Sequence, residues 1–338
     1  MPRICLIPNV HGVGGMVSFQ AKLAAGLEKR AIQVCHALNE TPYDAVLVTG
    51  GTRDLAGLWR ARLRGLRIIQ RLDGINWIHR RRRGDLRFFL RAEYRNQVLA
   101  LIRQQFATHI VYQSGFVRDW WEDWFSRTRR PFTVIHNAVD LAVYTPDGPH
   151  TRPDDRMHLL VVEGSLAGRL NTGLDQAVQL AGLLADHMAS PLELQVVGKV
   201  DARKQEEVLR KSPIPVDFTG IVPHESIPEL DRSAHLLFSA EINAPCPNSV
   251  IEALACGLPV VGFQTGALPE LVIGDAGRLV PYGGDPWKLD PPDLAGLASA
   301  AVEILDDPGR FRLAARRHAE EAFGLDRMVE RYLEILLG

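Results

Sequence analysis

The sequence predicts an α/β protein of two Rossmann-like domains, and three observations carry that prediction. The chain has 338 residues, twice the length of an ordinary domain of about 150. Short β-branched runs alternate with amphipathic stretches from end to end, the grammar of helices laid on parallel sheets. Between Asn137 and Asp155 the composition turns to Asp, Pro, Gly and Thr, and the alternation then starts again. The boundary is placed there, giving an N-terminal domain over 1–150 and a C-terminal domain over 151–338.

In the first domain, strands are expected at Arg3–Pro8, Ile32–Ala37, Ala45–Val48, Leu66–Gln70, His109–Tyr112 and Thr133–His136. Met16, Phe19, Leu23 and Leu27 recur at steps of three and four, so a helix follows the first strand. In the second, His158–Val162, Leu192–Val197, Val216–Ile221, His235–Phe238 and Pro259–Phe263 read as strands, with a helix over Thr172–His187. The tail from Pro292 onward reads as helical. Its last part puts Leu325, Met328, Val329, Tyr332 and Leu336 on one apolar face, so the final helix should pack back onto the protein. Two such domains are expected to face each other across a cleft.

A hydrophobic share of 46% with 23% charged residues excludes disorder. The net charge of −1 hides a split. Residues 1–150 carry 22 Lys and Arg against 12 Asp and Glu, or +10; residues 151–338 carry 17 against 28, or −11. Halves of opposite sign suit a closing cleft, and the basic half points to an anionic ligand, acceptor or surface. The longest apolar run, Ala253 to Phe263, is 11 residues and contains Gly257 and Pro259, short of the ~18–20 needed to span a bilayer. The N-terminus lacks a signal peptide's long apolar stretch and reads as a first strand. Cys5, Cys35, Cys246 and Cys256 form no Cys-x-x-Cys pair. A reduced cytoplasmic protein without structural zinc is expected.

Four segments hold residues that chemistry can use. Asn9-Val-His-Gly-Val-Gly-Gly-Met ends the first strand, and its glycines, Gly14 and Gly15 among them, let a ligand approach the backbone ahead of a helix N-terminus. It is not the dinucleotide fingerprint, because Val17 stands where the third glycine belongs. A tight turn with no ligand is the alternative. In Ala244-Pro-Cys-Pro-Asn-Ser-Val-Ile-Glu, Asn248 or Ser249 caps a short helix that Gly257 ends. A diphosphate fits that helix start, with Glu252 accepting from a ribose. Equally, Ser249-x-x-Glu252 is a capping box whose Glu serves its own helix. Arg71-Leu-Asp-Gly-Ile-Asn-Trp ends a first-domain strand, where Asp73 either orients an acceptor hydroxyl or caps its own turn. Arg80, Arg81, Arg82 and Arg83 precede Leu86, Phe88, Phe89 and Leu90, with Trp120, Trp121, Trp124 and Phe125 later. This is either a solvated arginine loop over buried aromatics or a contact for an anionic membrane face. No nucleic-acid motif accompanies it. His11 and His136 are cleft-side by position.

Taken together, Asn9–Leu27, Val134 to Pro146, Leu194–Lys199, Val216–Pro223, Ser249–Val261 and Thr265 to Pro281 resemble the family 4-like, GT-B glycosyltransferases, in order and at about the family's spacing. The resemblance covers the second domain well and the first at its two ends and near Tyr112. It implies a nucleotide-diphosphate-sugar donor held by the second domain through Lys199, Asn248, Ser249 and Glu252, and closed over by Gly14 and Gly15. It further implies a carbohydrate or lipid-linked acceptor held by the first domain, retention of configuration, no metal and no other cofactor. A cytoplasmic enzyme, peripheral to the inner membrane face, follows.

Two departures stand out. The family's Glu-x7-Glu pair ends at Glu252, but Ala244 stands at its first position, leaving Glu241 or Asn243 to contact the sugar. In the family's phosphate clamp Ser165 falls where Arg is expected and Thr172 where Lys is expected, which makes Arg169 the replacement cation. Asp73, Arg169 and Glu241 are the catalytic candidates. A non-catalytic relative that binds a sugar nucleotide or glycan as a partner subunit is the alternative. A nucleotide-sugar epimerase and a dehydrogenase are weaker ones.

Overall fold

The computed structural model describes residues 1–12, 14–81, 86–166 and 173–338. It divides into two compact units, Met1–Asn137 with Leu325–Gly338, and Ala138–Gly324.

The first unit is wound round a six-stranded parallel sheet. Its elements are β1 (Arg3–Ile7), α1 (Gly15–Glu28), β2 (Gln33–Cys35), β3 (Ala45–Thr49), α2 (Leu55–Leu63), β4 (Arg67–Leu72), α3 (Leu86–Leu101), β5 (His109–Tyr112), α4 (Gly115–Phe125) and β6 (Phe132–Val134). The strand order is β2-β1-β3-β4-β5-β6. Central strands of a parallel sheet are covered on both faces, which is why β1 and β3 read as unbroken apolar runs rather than alternating ones. Leu6 stands in register with Leu47, both fully buried. Phe19, Leu23 and Leu27 of α1 are buried, the face that the three-and-four spacing predicts. Asp54 caps α2 by accepting the Gly57 N–H at 2.7 Å, and Ser114 caps α4 from the Val117 N–H at 3.1 Å.

The second unit repeats the plan. It holds β7 (Met157–Ser165), α5 (Gly173–His187), β8 (Leu192–Lys199), α6 (Ala202–Lys211), β9 (Val216–Gly220), α7 (Ile227–Ser233), β10 (Leu236–Phe238), α8 (Asn248–Ala255), β11 (Val260–Phe263), α9 (Leu268–Leu271), β12 (Gly277–Val280), α10 (Leu294–Asp306) and α11 (Pro308–Ala322). Its parallel sheet runs β12-β11-β10-β7-β8-β9. Strand β12 was not expected from sequence. It is a four-residue edge strand whose Arg278 pairs with Asp275 and Glu303 at 3.0 and 2.7 Å, so it shows no apolar alternation.

The last helix, α12 (Leu325–Leu337), packs back as its apolar face predicts, and it packs on the first unit. Tyr332 meets Phe19 at 5.3 Å between ring centroids. Gly26 of α1 has Val329 directly against it, so close that a Cβ there would lie 2.4 Å from a Val329 methyl. Burying Met328, Val329, Tyr332 and Leu336 is worth ~1.5–3 kcal/mol for each side chain. Arg30 adds an ion pair to Asp326 at 2.9 Å.

The boundary therefore differs from the one expected at residue 150. The segment after Asn137 is bound into the second unit by side chains that donate to its backbone. Arg316 reaches the carbonyls of Leu141 and Tyr144, and Arg232 those of Thr145 and Pro149. Its Asp, Pro and Gly content marks a surface path over that unit, and the chain's return through α12 is a long-range contact that no local composition announces.

Candidate functional site

In the second sheet the strand order reverses between β7 and β10. Loops leaving those two strands diverge at their carboxyl ends, which is where an open α/β sheet takes ligands. Glu163 lies near the end of β7 and Glu241 just after β10. Burial first, and then the Glu241 charge, holds the Glu163 carboxyl well above the usual carboxylate range. The register of β7 against β8 shifts between Val162 and Ser165, and Gly198 (φ +135°) absorbs the shift: a Cβ there would overlap the Glu163 carbonyl. Lys199 follows, exposed, with no acidic partner among the described residues.

Helix α8 leaves the same edge. Pro247 is its N-cap, so Asn248 and Ser249 are its first two residues, both half-buried. Its first four backbone N–H groups have no partner inside the helix. At its other end the Gly257 N–H bonds Leu254 O at 3.0 Å and the Leu258 N–H bonds Ala253 O at 2.8 Å, a Schellman stop. The capping-box alternative fails on register. Glu252 lies five residues past the cap, and its side chain turns to Nε2 of His224 at 3.1 Å. Nδ1 of His224 lies 2.9 Å from the Tyr144 hydroxyl. Burial and the Glu252 and Asp231 charges push the Tyr144 pKa up, so that hydroxyl keeps its proton. Asp231 is buried beside them with neither carboxyl oxygen hydrogen-bonded to a nitrogen or oxygen among the described residues. Its pKa is held well above normal, mainly by burial and then by Glu252.

The two substitutes for the Ala244 position differ in access. Ala244 is fully buried, with its backbone against Gly266, where a Cβ would lie 2.5 Å from the Ala244 N and O. Asn243 is buried in the left-handed region (φ 56°), and its Nδ2 has no partner among the described residues. Glu241 is exposed. Arg169 and Thr172 lie outside the described residues, as do Arg82 and Arg83.

The first unit gathers Gly14, Gly15 and Asp73 at the carboxyl edge of its own sheet. Gly14 (φ +143°) is the N-cap of α1 and Gly15 its first residue. Asp73 follows β4, and its carbonyl accepts Nε1–H of the buried Trp121 at 2.8 Å. Burial raises the Asp73 carboxyl, and Arg71 partly offsets the rise. Arg71 is itself buried, lying over the Phe19 ring at 3.8 Å and donating to Asn137 Oδ1 at 2.7 Å. His11 is exposed and His136 half-buried.

Residues 159–307 match the family model described as Glycosyl transferases group 1, which spans both strands of the switch point and the whole of α8. The second unit carries a glycosyl transferases group 1 domain. The full chain has the GT-B fold: sucrose-phosphate synthase of Thermosynechococcus elongatus superposes with a TM-score of 0.74 at 17% identity, covering 99% of this chain and 98% of that one. Anabaena HepE, solved in complex with UDP-glucose, gives 0.70 at 17% identity over 99% of each chain. Among curated proteins, a GDP-mannose-dependent phosphatidylinositol dimannoside mannosyltransferase of Mycobacterium tuberculosis is 28% identical over 241 residues, 67% of this chain and 57% of that protein. The matches span from about a quarter to just over half the length of such relatives.

Within the second unit, sequence reasoning missed Glu163, Tyr144, His224 and Asp231. Glu163 had a local signal, a carboxylate closing an apolar strand directly before a glycine. The other three reach Glu252 from segments far off in sequence, so spacing alone could not join them.

Proposed function

We propose that the chain is a retaining glycosyltransferase that moves a sugar from a nucleotide-diphosphate donor, bound by the transferase domain, to a carbohydrate or lipid-linked acceptor bound by the first unit. No metal and no other cofactor takes part. The observation that carries this reading is the turn of the Glu252 carboxylate to His224, five residues past the cap of α8, where it can accept from a ribose. The first turn of α8, with the Ser249 hydroxyl, then takes the diphosphate. Lys199 supplies positive charge, and Glu241 with Glu163 meets the sugar hydroxyls. The transferase family and the UDP-glucose complex of a similar fold support it.

The chemistry needs no protein nucleophile. As the bond from the sugar's anomeric carbon to the diphosphate oxygen breaks, that electron pair stays with the phosphate. The acceptor oxygen attacks from the same face, and its proton passes to the departing phosphate. Asp73 orients the acceptor hydroxyl. Calorimetric titration of UDP, GDP, ADP and dTDP into wild type and Glu252→Ala tests the reading. One nucleotide should bind, and the variant should weaken it about tenfold or more, the scale of a hydrogen bond to a charged group. Equal affinity in a folded variant overturns the ribose assignment. No binding at all favours the non-catalytic partner subunit.

For the acceptor side we infer contact with an anionic lipid face through α3. Leu86, Leu90 and Tyr94 form a stripe along it that is 71%, 57% and 64% exposed, beside a second stripe of exposed Arg87, Arg91 and Arg95. The basic run ahead of it contributes differently than expected. Arg80 pairs with Glu93 at 2.7 Å and lies over Trp124 at 4.0 Å, and Arg81 is exposed. Trp120 and Trp121 are core residues and take no part. No helix among the described residues is long and apolar enough to cross a membrane.

A further inference from the structure

We propose that His224 and Tyr144 are positioning residues that hold the Glu252 carboxylate in the orientation that reads the donor's ribose hydroxyls. This rests on the ribose assignment above and adds two residues to it. The argument begins with what a carboxylate requires. Glu252 is almost entirely buried, 6% exposed at its side chain, and the equally buried Asp231 carboxyl stands close enough for their charges to act on each other. A buried carboxylate in such company needs a donor to fix it, or it relaxes toward whatever N–H group is nearest. His224 is that donor. A carboxylate only accepts, so the 3.1 Å contact places the imidazole proton on Nε2. The Tyr144 hydroxyl lies against the same ring, 2.9 Å from Nδ1 and 3.2 Å from Nε2, and with the proton on Nε2 it donates to Nδ1.

The pair is anchored against the helix that bears Glu252. Nη1 of Arg316 donates to the Tyr144 carbonyl and to the Ala255 carbonyl of α8, each at 2.7 Å. One guanidinium thus ties the tyrosine backbone to the end of α8, and the hydroxyl, the imidazole and the carboxylate complete the loop back to the middle of that helix. His224 also stands at the surface, 49% exposed beside a side chain that is not. A ribose reaching Glu252 therefore meets a carboxylate that His224 already orients.

Ribose discrimination separates positioning from a merely structural role. Affinities for UDP, dUDP, GDP and dGDP are measured by calorimetry on wild type, His224→Ala, His224→Gln, Tyr144→Phe, Glu252→Gln and His224→Ala/Glu252→Gln, with thermal midpoints as a folding control. Wild type should favour the ribonucleotide over its 2′-deoxy form, and His224→Ala should lower that ratio about tenfold, toward unity. His224→Gln places an amide N–H near the Nε2 position and should restore part of the ratio, whereas Tyr144→Phe should lose less than His224→Ala. In the Glu252→Gln background, His224→Ala should change the ratio no further. A ratio unchanged in His224→Ala but lost in Glu252→Gln overturns this inference and leaves the ribose assignment standing. A wild-type ratio of unity, or no binding by any of the four, overturns the ribose assignment and this inference with it.

Discussion

The Glu163 carboxyl lies within reach of the Glu241 charge, so two acids share the edge where the second sheet reverses its strand order. Protons are held there more tightly than in an unfolded chain. For a carboxyl whose folded pKa is raised, the cost of ionisation is absent below the ordinary carboxylate range and grows as pH rises above it. Glu163→Gln removes that cost. Its thermal midpoint should exceed that of wild type at pH 8, and the gap should close on approach to pH 4. A gap of the same size at both pH values would show that burial alone, without ionisation, sets the difference.

Glu241 and Asn243 divide the work that Ala244 leaves undone, and their accessibilities decide between them. Glu241 is exposed at the switch point, whereas Asn243 is buried in a left-handed conformation that glycine also adopts without strain. Glu241→Gln should therefore raise the KM for donor-sugar hydrolysis, assayed with UDP-glucose and GDP-mannose, by about tenfold. Asn243→Gly should leave it within about twofold. The reverse ranking would give the sugar contact to Asn243.

One of the contacts that attach α12 is unusually close. Val329 lies against Gly26, and a larger side chain at 26 drives the helices apart. Overpacking a fitted core costs ~1–3 kcal/mol, so Gly26→Leu should lower stability to urea by about 2 kcal/mol. Adding Val329→Ala should recover part of that loss. Additive losses in the double variant would mean that the two positions do not share this contact.

The repeated plan was legible because central strands such as β1, β3, β10 and β11 are largely apolar runs that announce themselves. Strand β12 does not: it sits at an edge and carries Arg278 in an ion-pair network. The ends of β7 and β8 were read short, since Glu163, Gly164 and Lys199 break the apolar run at the point where the sheet meets solvent. That is also where a ligand site is built, so the least strand-like residues are the most informative. At α8 the motif allowed two fates for Glu252, a cap or an acceptor for a ligand. What separates them is His224, 28 positions away, brought in by the turn after β9. Local pattern marks the helix, but only the fold supplies its partner.

Helix α3 sets two forces side by side, and they respond differently to salt. The Arg87, Arg91 and Arg95 stripe is electrostatic and is screened as the Debye length falls from ~10 Å at 0.1 M salt to ~3 Å at 1 M. The Leu86, Leu90 and Tyr94 stripe is hydrophobic and is not. At ~1 kcal/mol for each basic side chain near an anionic surface, changing the three arginines to Gln should cut partitioning onto phosphatidylglycerol vesicles about 100-fold. Binding to phosphatidylcholine vesicles should hardly change. Changing Leu86, Leu90 and Tyr94 to Ser should instead remove the part of the binding that persists at high salt. Co-sedimentation with both vesicle types at 0.1 and 1 M salt reads each contribution separately. If wild type fails to sediment with phosphatidylglycerol at the lower salt, α3 is no contact for an anionic lipid face.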